Sequence, residues 1–234
     1  MQIKILASGS TGNSYRISDG KTSLLLDAGI PFSAIQKGCD FSLSSLGGCL
    51  ITHEHLDHAK AATELMRRSV DVYTSHGTAG SHGWKGHRLH IVRSMEGFSI
   101  GTFDVLAFDV EHDSAEPLGF VVYSREIGEK LLYFTDTFYV KYRFNGLTHI
   151  LCECNYDRDI LLHNVKIGAV DPFVAKRTMK SHMSVDTLLE MLRANDISNV
   201  RQIYLLHISG DNGNAMMFKD RVQKLTGAEV YTYY

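Results

Sequence analysis

The chain has 234 residues, and its 24 Lys and Arg nearly balance 26 Asp and Glu, for a formal net charge of −2. That balance excludes a global field drawing the protein to nucleic acid or an anionic membrane, so any polyanion must be met by a local basic surface. With 44% hydrophobic and 21% charged residues the composition is that of a globular domain with a full core, and no apolar run approaches the roughly 20 residues of a membrane span.

From the start of the chain, Gln2–Ala7, Ser14–Ser18 and Thr22–Asp27 read as strands, the last two joined by a tight turn at Asp19-Gly20. Ser8-Gly9-Ser10-Thr11-Gly12-Asn13 is a small polar loop between the first two. Met1–Leu6 runs directly into strand-like sequence with no signal-peptide start, and Cys39, Cys49, Cys152 and Cys154 lack C-x-x-C spacing; a reduced, cytoplasmic protein is expected. Pro31–Lys37 is a short helix with Pro31 at its start, Gly48–Thr52 an apolar strand, and Ala59–Arg68 a helix with Ala62, Leu65 and Met66 on one side. Asp71–Thr74, Arg88–Val92, Thr102–Val110, Leu118–Ser124 and Lys130–Thr135 make the middle β-rich. Thr148–Glu153 is a further strand and Asp171–Lys180 a helix. Ser184 caps Val185–Leu192, whose Val185, Leu188, Leu189 and Leu192 form a helical stripe. Gln202–His207 is a buried-type strand and Ala215–Leu225 a final helix. Three prolines, no linker-like stretch and no repeat point to a single domain over residues 1–234. Strands followed by helices, twice over, suggest two sheets packed face to face with helices outside, an α/β arrangement.

Twelve histidines is a high count for this length, and histidine is both the commonest metal ligand and the usual acid or base near neutral pH. The decisive segment is Thr52-His53-Glu54-His55-Leu56-Asp57-His58, an H-x-H-x-D-H pattern following a strand. In extended backbone, residues two apart face the same way, so His53 and His55 can converge on one ion. Asp57 and His58 lie where the chain turns into a helix and can offer a carboxylate and an imidazole to a second. Imidazole with carboxylate suits zinc, manganese or iron, and the lack of cysteine here argues against a structural thiolate site. A solvated histidine-rich loop is the bland alternative; four ligand-type side chains within six residues, directly after an apolar strand, disfavour it.

H-x-H-x-D-H after a strand resembles the signature of the metallo-β-lactamase superfamily, whose fold is a four-layer αββα sandwich. Ser8–Ser14, Leu25-Leu26-Asp27-Ala28-Gly29, Ile51–His58, Glu111-His112-Asp113 ahead of Pro117-Leu118-Gly119-Phe120, and Thr135-Asp136-Thr137 are similar to its YycJ (WalJ)-like subgroup, related to the ribonuclease Z-like phosphodiesterases. The resemblance implies two divalent metal ions, Zn2+ or Mn2+ with Fe as an alternative. His53, His55 and His112 would hold the first, Asp57, His58 and His207 the second, and Asp136 would bridge them. Two ions bring four positive charges, of which Asp57, Asp136 and a hydroxide cancel three; the residue favours an anionic substrate, and a metal pair can both generate a nucleophile and clamp a phosphoryl group.

The same resemblance makes His182, in Ser181-His182-Met183-Ser184, a general acid alongside the catalytic Asp57, although Ser181 and Val185 stand where the subgroup has glycine and asparagine. A displaced alkoxide leaves poorly, so a histidine beside it helps by protonation. Glu153 is implied as a partner to an imidazole and Asp27 as the carboxylate that orients a metal-bound histidine, against plain strand-end or turn-capping roles. Ser10 and Asn13, in the glycine-rich loop, could approach phosphate, as could Arg177 with Lys176 and Lys180; a tight turn and a wet helix face are the bland alternatives. His76, His82, His87, His90, His149 and His163 read as surface or structural, His76 being nearest to the pocket, and Cys152 and Cys154 as core. The expectation is a phosphodiesterase, a nuclease acting on DNA as an exonuclease. The alternatives are a small-molecule phosphodiesterase acting on a cyclic nucleotide or phosphorylated metabolite, and a non-catalytic metal-binding member, which the intact ligand set disfavours.

Overall fold

The computed structural model describes residues 1–233. Two compact units emerge: Met1–Asp109 with Ser114–Glu129, and Val110–Asp113 with the chain from Lys130 onward.

In the first unit the order is β1 (Gln2–Ala7), β2 (Ser14–Ser18), β3 (Ser23–Leu26), α1 (Phe32–Gly38), β4 (Leu46–Leu50), α2 (Leu56–Ala59), α3 (Ala62–Arg67), β5 (Val72–Thr74), α4 (His76–His82), β6 (Leu89–Ile91), β7 (Gly97–Ile100), β8 (Phe103–Asp109) and β9 (Leu118–Ser124). β1 to β6 lie side by side in chain order. The first two pairings are antiparallel and the rest parallel. Leu25, Cys49 and Val72 of this sheet and Ile51 just after β4 pack with Ile35 of α1 and Ala62 and Leu65 of α3 in one buried cluster. Because β3 and β4 are parallel, Asp27 and His53, which follow them, emerge at the same end of the sheet. β7, β8 and β9 form an antiparallel ribbon.

Three local departures from the sequence reading have physical causes. β3 ends at Leu26 because Asp27 takes a left-handed φ of 58°. The β2–β3 turn spans four residues, with Asp19 N–H donating to Thr22 O at 3.2 Å. The helix expected over Ala59–Arg68 starts earlier and breaks in two, since Ala61 N–H donates to Ala28 O at 2.8 Å rather than into its own helix. Two elements were not expected. α4 contains two glycines but is capped by Ser75, whose Oγ accepts from Thr78 N–H, and β7 has little apolar signal.

The second unit runs β10 (Lys130–Phe134), β11 (His149–Glu153), α5 (Arg158–Lys166), α6 (Pro172–Ser181), α7 (Val185–Ala194), β12 (Gln202–Leu206), α8 (Ala215–Thr226) and β13 (Glu229–Thr232). The four strands pair in that order, all parallel, and β11 is buried along its whole length, as the central strand of such a sheet must be. α7 buries the expected stripe of Val185, Leu188, Leu189 and Leu192. α5, which buries only Leu161 fully but is capped by the Asp157 carboxylate, and β13 were not foreseen. Residues following the C-terminal ends of β10 and β12, and the last residue of β11, are Asp136, His207 and Glu153; in parallel sheets that end is where ligands bind. Among the described residues no helix is long and apolar enough to cross a membrane.

Candidate metal centre

In the first unit the centre is organised by one carboxylate. Asp27 is fully buried and accepts from Thr52 N–H (2.8 Å) and Thr52 Oγ1 (3.0 and 3.1 Å). It also lies 2.7 Å from His58 Nδ1. A carboxylate cannot donate, so His58 carries its proton on Nδ1. Thr52 Oγ1 spends its hydrogen on Asp27, so His53, whose Nδ1 is 3.0 Å from that oxygen, is likewise protonated on Nδ1. One carboxylate thus fixes the tautomer of two imidazoles and leaves each presenting an Nε2 lone pair, the arrangement of metal-binding histidines. The ring centroid of His53 lies 4.8 Å from that of His55 and 4.2 Å from that of His58, and Asp57 Oδ2 is 3.5 Å from His58 Nε2. The extended turn before α2, with His55 as its N-cap, therefore gathers the whole H-x-H-x-D-H set.

Close backbone lacing holds this set in place. Asn13 N–H donates to Asp57 O (2.7 Å) and Ala28 N–H to His58 O (2.7 Å). A Cβ on Gly29 would stand 1.6 Å from Asp57 O, so only glycine lets the Asp27–Gly29 loop lie so close to the motif. Asn13 is buried, with Nδ2 3.1 Å from His58 Nε2 and 3.0 Å from Gly9 O, and so serves the histidine rather than solvent. Ser10 is exposed.

The second unit holds the other group. Asp136 and His207 both adopt left-handed φ, 48° and 53°, conformations that cost non-glycine residues about 1–3 kcal/mol and persist where the surroundings enforce them. His207 Nδ1 is 2.7 Å from Asp136 Oδ1 and 3.4 Å from Glu153 Oε1. Glu153, fully buried, accepts from Thr137 N–H (3.0 Å) and Met183 N–H (3.2 Å) and holds His182 Nδ1 at 2.5 Å. His112 donates from Nδ1 to Ser181 O at 3.2 Å, turning Nε2 to within 3.9 Å of Asp136 Oδ2. Asp136, Glu153, His182 and His207 each bring one ligand atom within 4.8 Å of the others.

The electrostatics fit a cation. Burial pulls His207 down, yet the carboxylates of Asp136 and Glu153 outweigh it and push the imidazole up to about 10; a field that holds a proton so firmly favours a divalent ion in the same place. His182 is raised for a related reason, burial being overcome by the Glu153 charge and hydrogen bond. His112 is lowered, chiefly by burial, which keeps it neutral as a ligand must be. The donor set of imidazoles and carboxylates suits divalent transition metals.

Several residues play parts the sequence did not suggest. Thr52 couples His53 to Asp27. Thr137 N–H holds Glu153, and its Oγ1 accepts from Glu111 N–H at 3.0 Å. Asn155 Nδ2 donates to His207 O at 2.8 Å. For Thr52 and Thr137 the only sequence signal was adjacency to His53 and Asp136. Arg177 forks onto Asp113 Oδ2 through Nε and Nη2, both at 3.0 Å, while Lys176 and Lys180 are exposed. His82 binds Glu54 O and stacks on Trp84, His90 stacks on Tyr73, and His149 is buried beside Thr148; His76 opens α4 and is exposed. All four cysteines are free and buried.

Comparison with known proteins converges on one family. A model of the β-lactamase superfamily domain matches residues 22–208. Exodeoxyribonuclease YycJ of Bacillus anthracis is 31% identical over 91% of this chain and 84% of its own length. Exodeoxyribonuclease WalJ of Streptococcus pneumoniae is 28% identical over 89% of this chain and 81% of its own. In structure, the metallo-β-lactamase fold protein YhfI of Bacillus subtilis superposes with a TM-score of 0.74 over 98% of this chain and 95% of that one, at 14% identity. The α/β class and the fold expected from the sequence are thereby borne out.

Proposed function

We propose, for a chain that belongs to the metallo-β-lactamase superfamily, that it is an exonuclease of DNA working with a pair of divalent metal ions. It is a metal-dependent hydrolase acting on phosphodiester bonds, like the exodeoxyribonucleases it resembles over nine-tenths of its length. Those relatives favour the nuclease over a small-molecule phosphodiesterase. The proposed ligands are His53, His55 and His112 for one ion, Asp57, His58 and His207 for the other, and Asp136 for both, with zinc or manganese as the occupants and iron as an alternative. Residues 1–234 then form a single domain, consistent with a family match running through both units.

The observation that carries this reading is the anchoring of the imidazoles. His53, His58 and His112 are each held through Nδ1 by an oxygen, which leaves Nε2 as the unprotonated nitrogen in every case. Side chains whose role was only structural would have no need of a common tautomer. When bound, the ions supply a hydroxide nucleophile at neutral pH and withdraw charge from the scissile phosphoryl group. His182 complements them: Nδ1 is fixed on Glu153, the side chain keeps 22% of its surface exposed, and its outward nitrogen can pass a proton to the departing 3′ or 5′ oxygen. Glu153 orients His182 and favours its charged form. Ser10 and Arg177 are proposed at the margin of the substrate. Elemental analysis of the purified protein should find two transition-metal ions per chain, and labelled DNA should be shortened from its ends in a chelator-sensitive way. A metal-free protein, or DNA degradation indifferent to chelator, would sink the proposal.

A further inference from the structure

Directly after Asp136 the chain leaves β10 through an irregular segment, Thr137-Phe138-Tyr139-Val140-Lys141-Tyr142-Arg143-Phe144, in which aromatic and cationic residues interleave. Its backbone is pinned at several points. Thr137 N–H is held by Glu153 and Thr137 Oγ1 donates to Tyr139 O at 2.8 Å. Val140 is buried like a plug, and Phe144 N–H donates to Asn195 Oδ1 at 2.6 Å. Between these pins Phe138 and Tyr139 keep 40% and 49% of their surface in water. Lys141 Nζ stands 5.3 Å from the Tyr142 ring centroid, and Arg143 is exposed.

Two neighbouring aromatic rings held outward on a fixed backbone are poor company for water and lose little freedom when something flat covers them. The flat, apolar partner that also carries negative charge is a nucleic-acid base on its phosphate backbone. Stacking on such rings tolerates any sequence, and nearby cations meet the phosphates. A second copy of this chain fits less well, because two rings supply a small part of the roughly 800 Å2 per partner that a stable interface buries. Bases inside a duplex present no free faces, so the bases concerned must be unpaired. We propose that Phe138 and Tyr139 form a stacking platform for unpaired bases at the end of the DNA strand being cut, with Lys141 and Arg143 facing its phosphates. Phe138 and Tyr139 follow Asp136 by two and three residues, which is why the platform is proposed beside the reacting end. The proposal rests on the nuclease reading above and names the form in which that substrate is held.

The test crosses removal of the rings with removal of the bases. The full chain is compared with Phe138→Ala/Tyr139→Ala and with Phe138→Leu/Tyr139→Leu, which keeps apolar bulk without a flat face. Thermal melts confirm that each variant is folded. The probes are a labelled single-stranded oligothymidylate and the same oligomer with abasic residues at the two terminal positions of each end. Binding is read by fluorescence anisotropy in chelator, and kcat/KM with metal restored. The parent protein should prefer the intact oligomer by roughly tenfold per stacked base, and both variants should lose most of that preference. An undiminished preference in the variants, no preference in the parent, or equal weakening on both oligomers overturns the platform. So does a dimer that dissociates on ring removal while the base preference stays. If DNA is degraded and the rings prove irrelevant, the platform alone falls. If the parent hydrolyses bis(p-nitrophenyl) phosphate but neither binds nor degrades the oligomers, the nuclease reading falls with it.

Discussion

Each unit contains a buried carboxylate that grips an imidazole through Nδ1, yet the two pairs are built differently. Asp27 and His58 are both sealed from solvent, and Asp27 also reaches His53 through Thr52. Glu153 is just as buried, but its partner His182 retains an exposed face, and the carboxylate is fed by two backbone amides from different segments. A sealed imidazole has only its second nitrogen to offer and can do nothing but coordinate. A partly exposed, positively biased one can meet a substrate and give up a proton. The same chemical pair therefore serves ligation in one place and proton transfer in the other, and solvent access decides which.

If that contrast is right, the largest effect should come from the exposed member. His182→Ala is expected to lower turnover on DNA by about 10²–10⁴-fold, the usual contribution of a general acid. Turnover on a p-nitrophenyl phosphodiester, whose leaving group departs unaided, should fall far less, and metal content should not change. Steady-state kinetics on the two substrates with elemental analysis would check this; equal losses on both, or lost metal, would erase the contrast.

Asp27→Ala should show the opposite pattern. With two imidazoles no longer held in their tautomers, metal affinity should drop about 10–100-fold, measured by competition with a chromophoric chelator. Saturating metal should restore much of the activity, on both substrates alike. Selective loss on the poor leaving group would place Asp27 in proton transfer instead.

These two nodes also differ in how far the sequence reveals them. His53, His55, Asp57 and His58 sit within six residues, so their convergence follows from strand alternation and needs no tertiary knowledge. Asp136, Glu153, His182 and His207 span more than seventy residues; a parallel sheet delivering strand ends to one side, together with the turn after α6, brings them together, and a resemblance to a family had to stand in for that. Long apolar strands and the capped α7 were legible because burial writes itself as pattern. α4 and α5 were not, because each buries little and is secured by a single capping side chain. Adjacency to a motif residue was the only trace of Thr52 and Thr137, since their bonds to Asp27 and Glu153 cross many residues, and the bond of Asn155 to His207 left none.

A smaller effect should follow from Gly29→Ala. The new methyl group would collide with Asp57 O, and relieving an overpacked contact of this kind costs about 1–3 kcal/mol, a fall in Tm of roughly 2–4 °C per kcal/mol for a chain of this size. Because the displaced carbonyl belongs to the ligand segment, metal affinity should weaken along with Tm. A melt unchanged from the parent would show that the loop has slack that the close approach denies.

The smallest effect is expected at another buried carboxylate, Asp19, which has no imidazole and so calibrates Asp27 and Glu153. It accepts from Lys21 N–H (3.0 Å), Thr22 N–H (2.9 Å), Thr102 Oγ1 (2.5 Å) and Ser124 Oγ (2.8 Å), tying the β2–β3 turn to the neighbourhood of β8 and β9. Burial alone would raise its pKa, but the hydrogen bonds led by Thr102 and Thr22 outweigh it and bring the carboxyl from 3.8 down to about 2. A carboxyl depressed in the folded state adds stability that is complete above its unfolded pKa and lost as pH falls through the folded one. Asp19 should therefore stabilise the protein fully above about pH 4 and cease to do so towards pH 2. Asp19→Asn keeps an oxygen for the turn but not the charge, so a loss of about 1 kcal/mol is expected at neutral pH. The gap to the parent should narrow between pH 4 and 2, as followed by chemical denaturation across that range. Metal content and the ratio of activities on the two phosphodiesters should stay put. A change in either would mean that a carboxylate without an imidazole can also set the metal centre, and the distinction drawn between Asp27 and Glu153 would lose its reference.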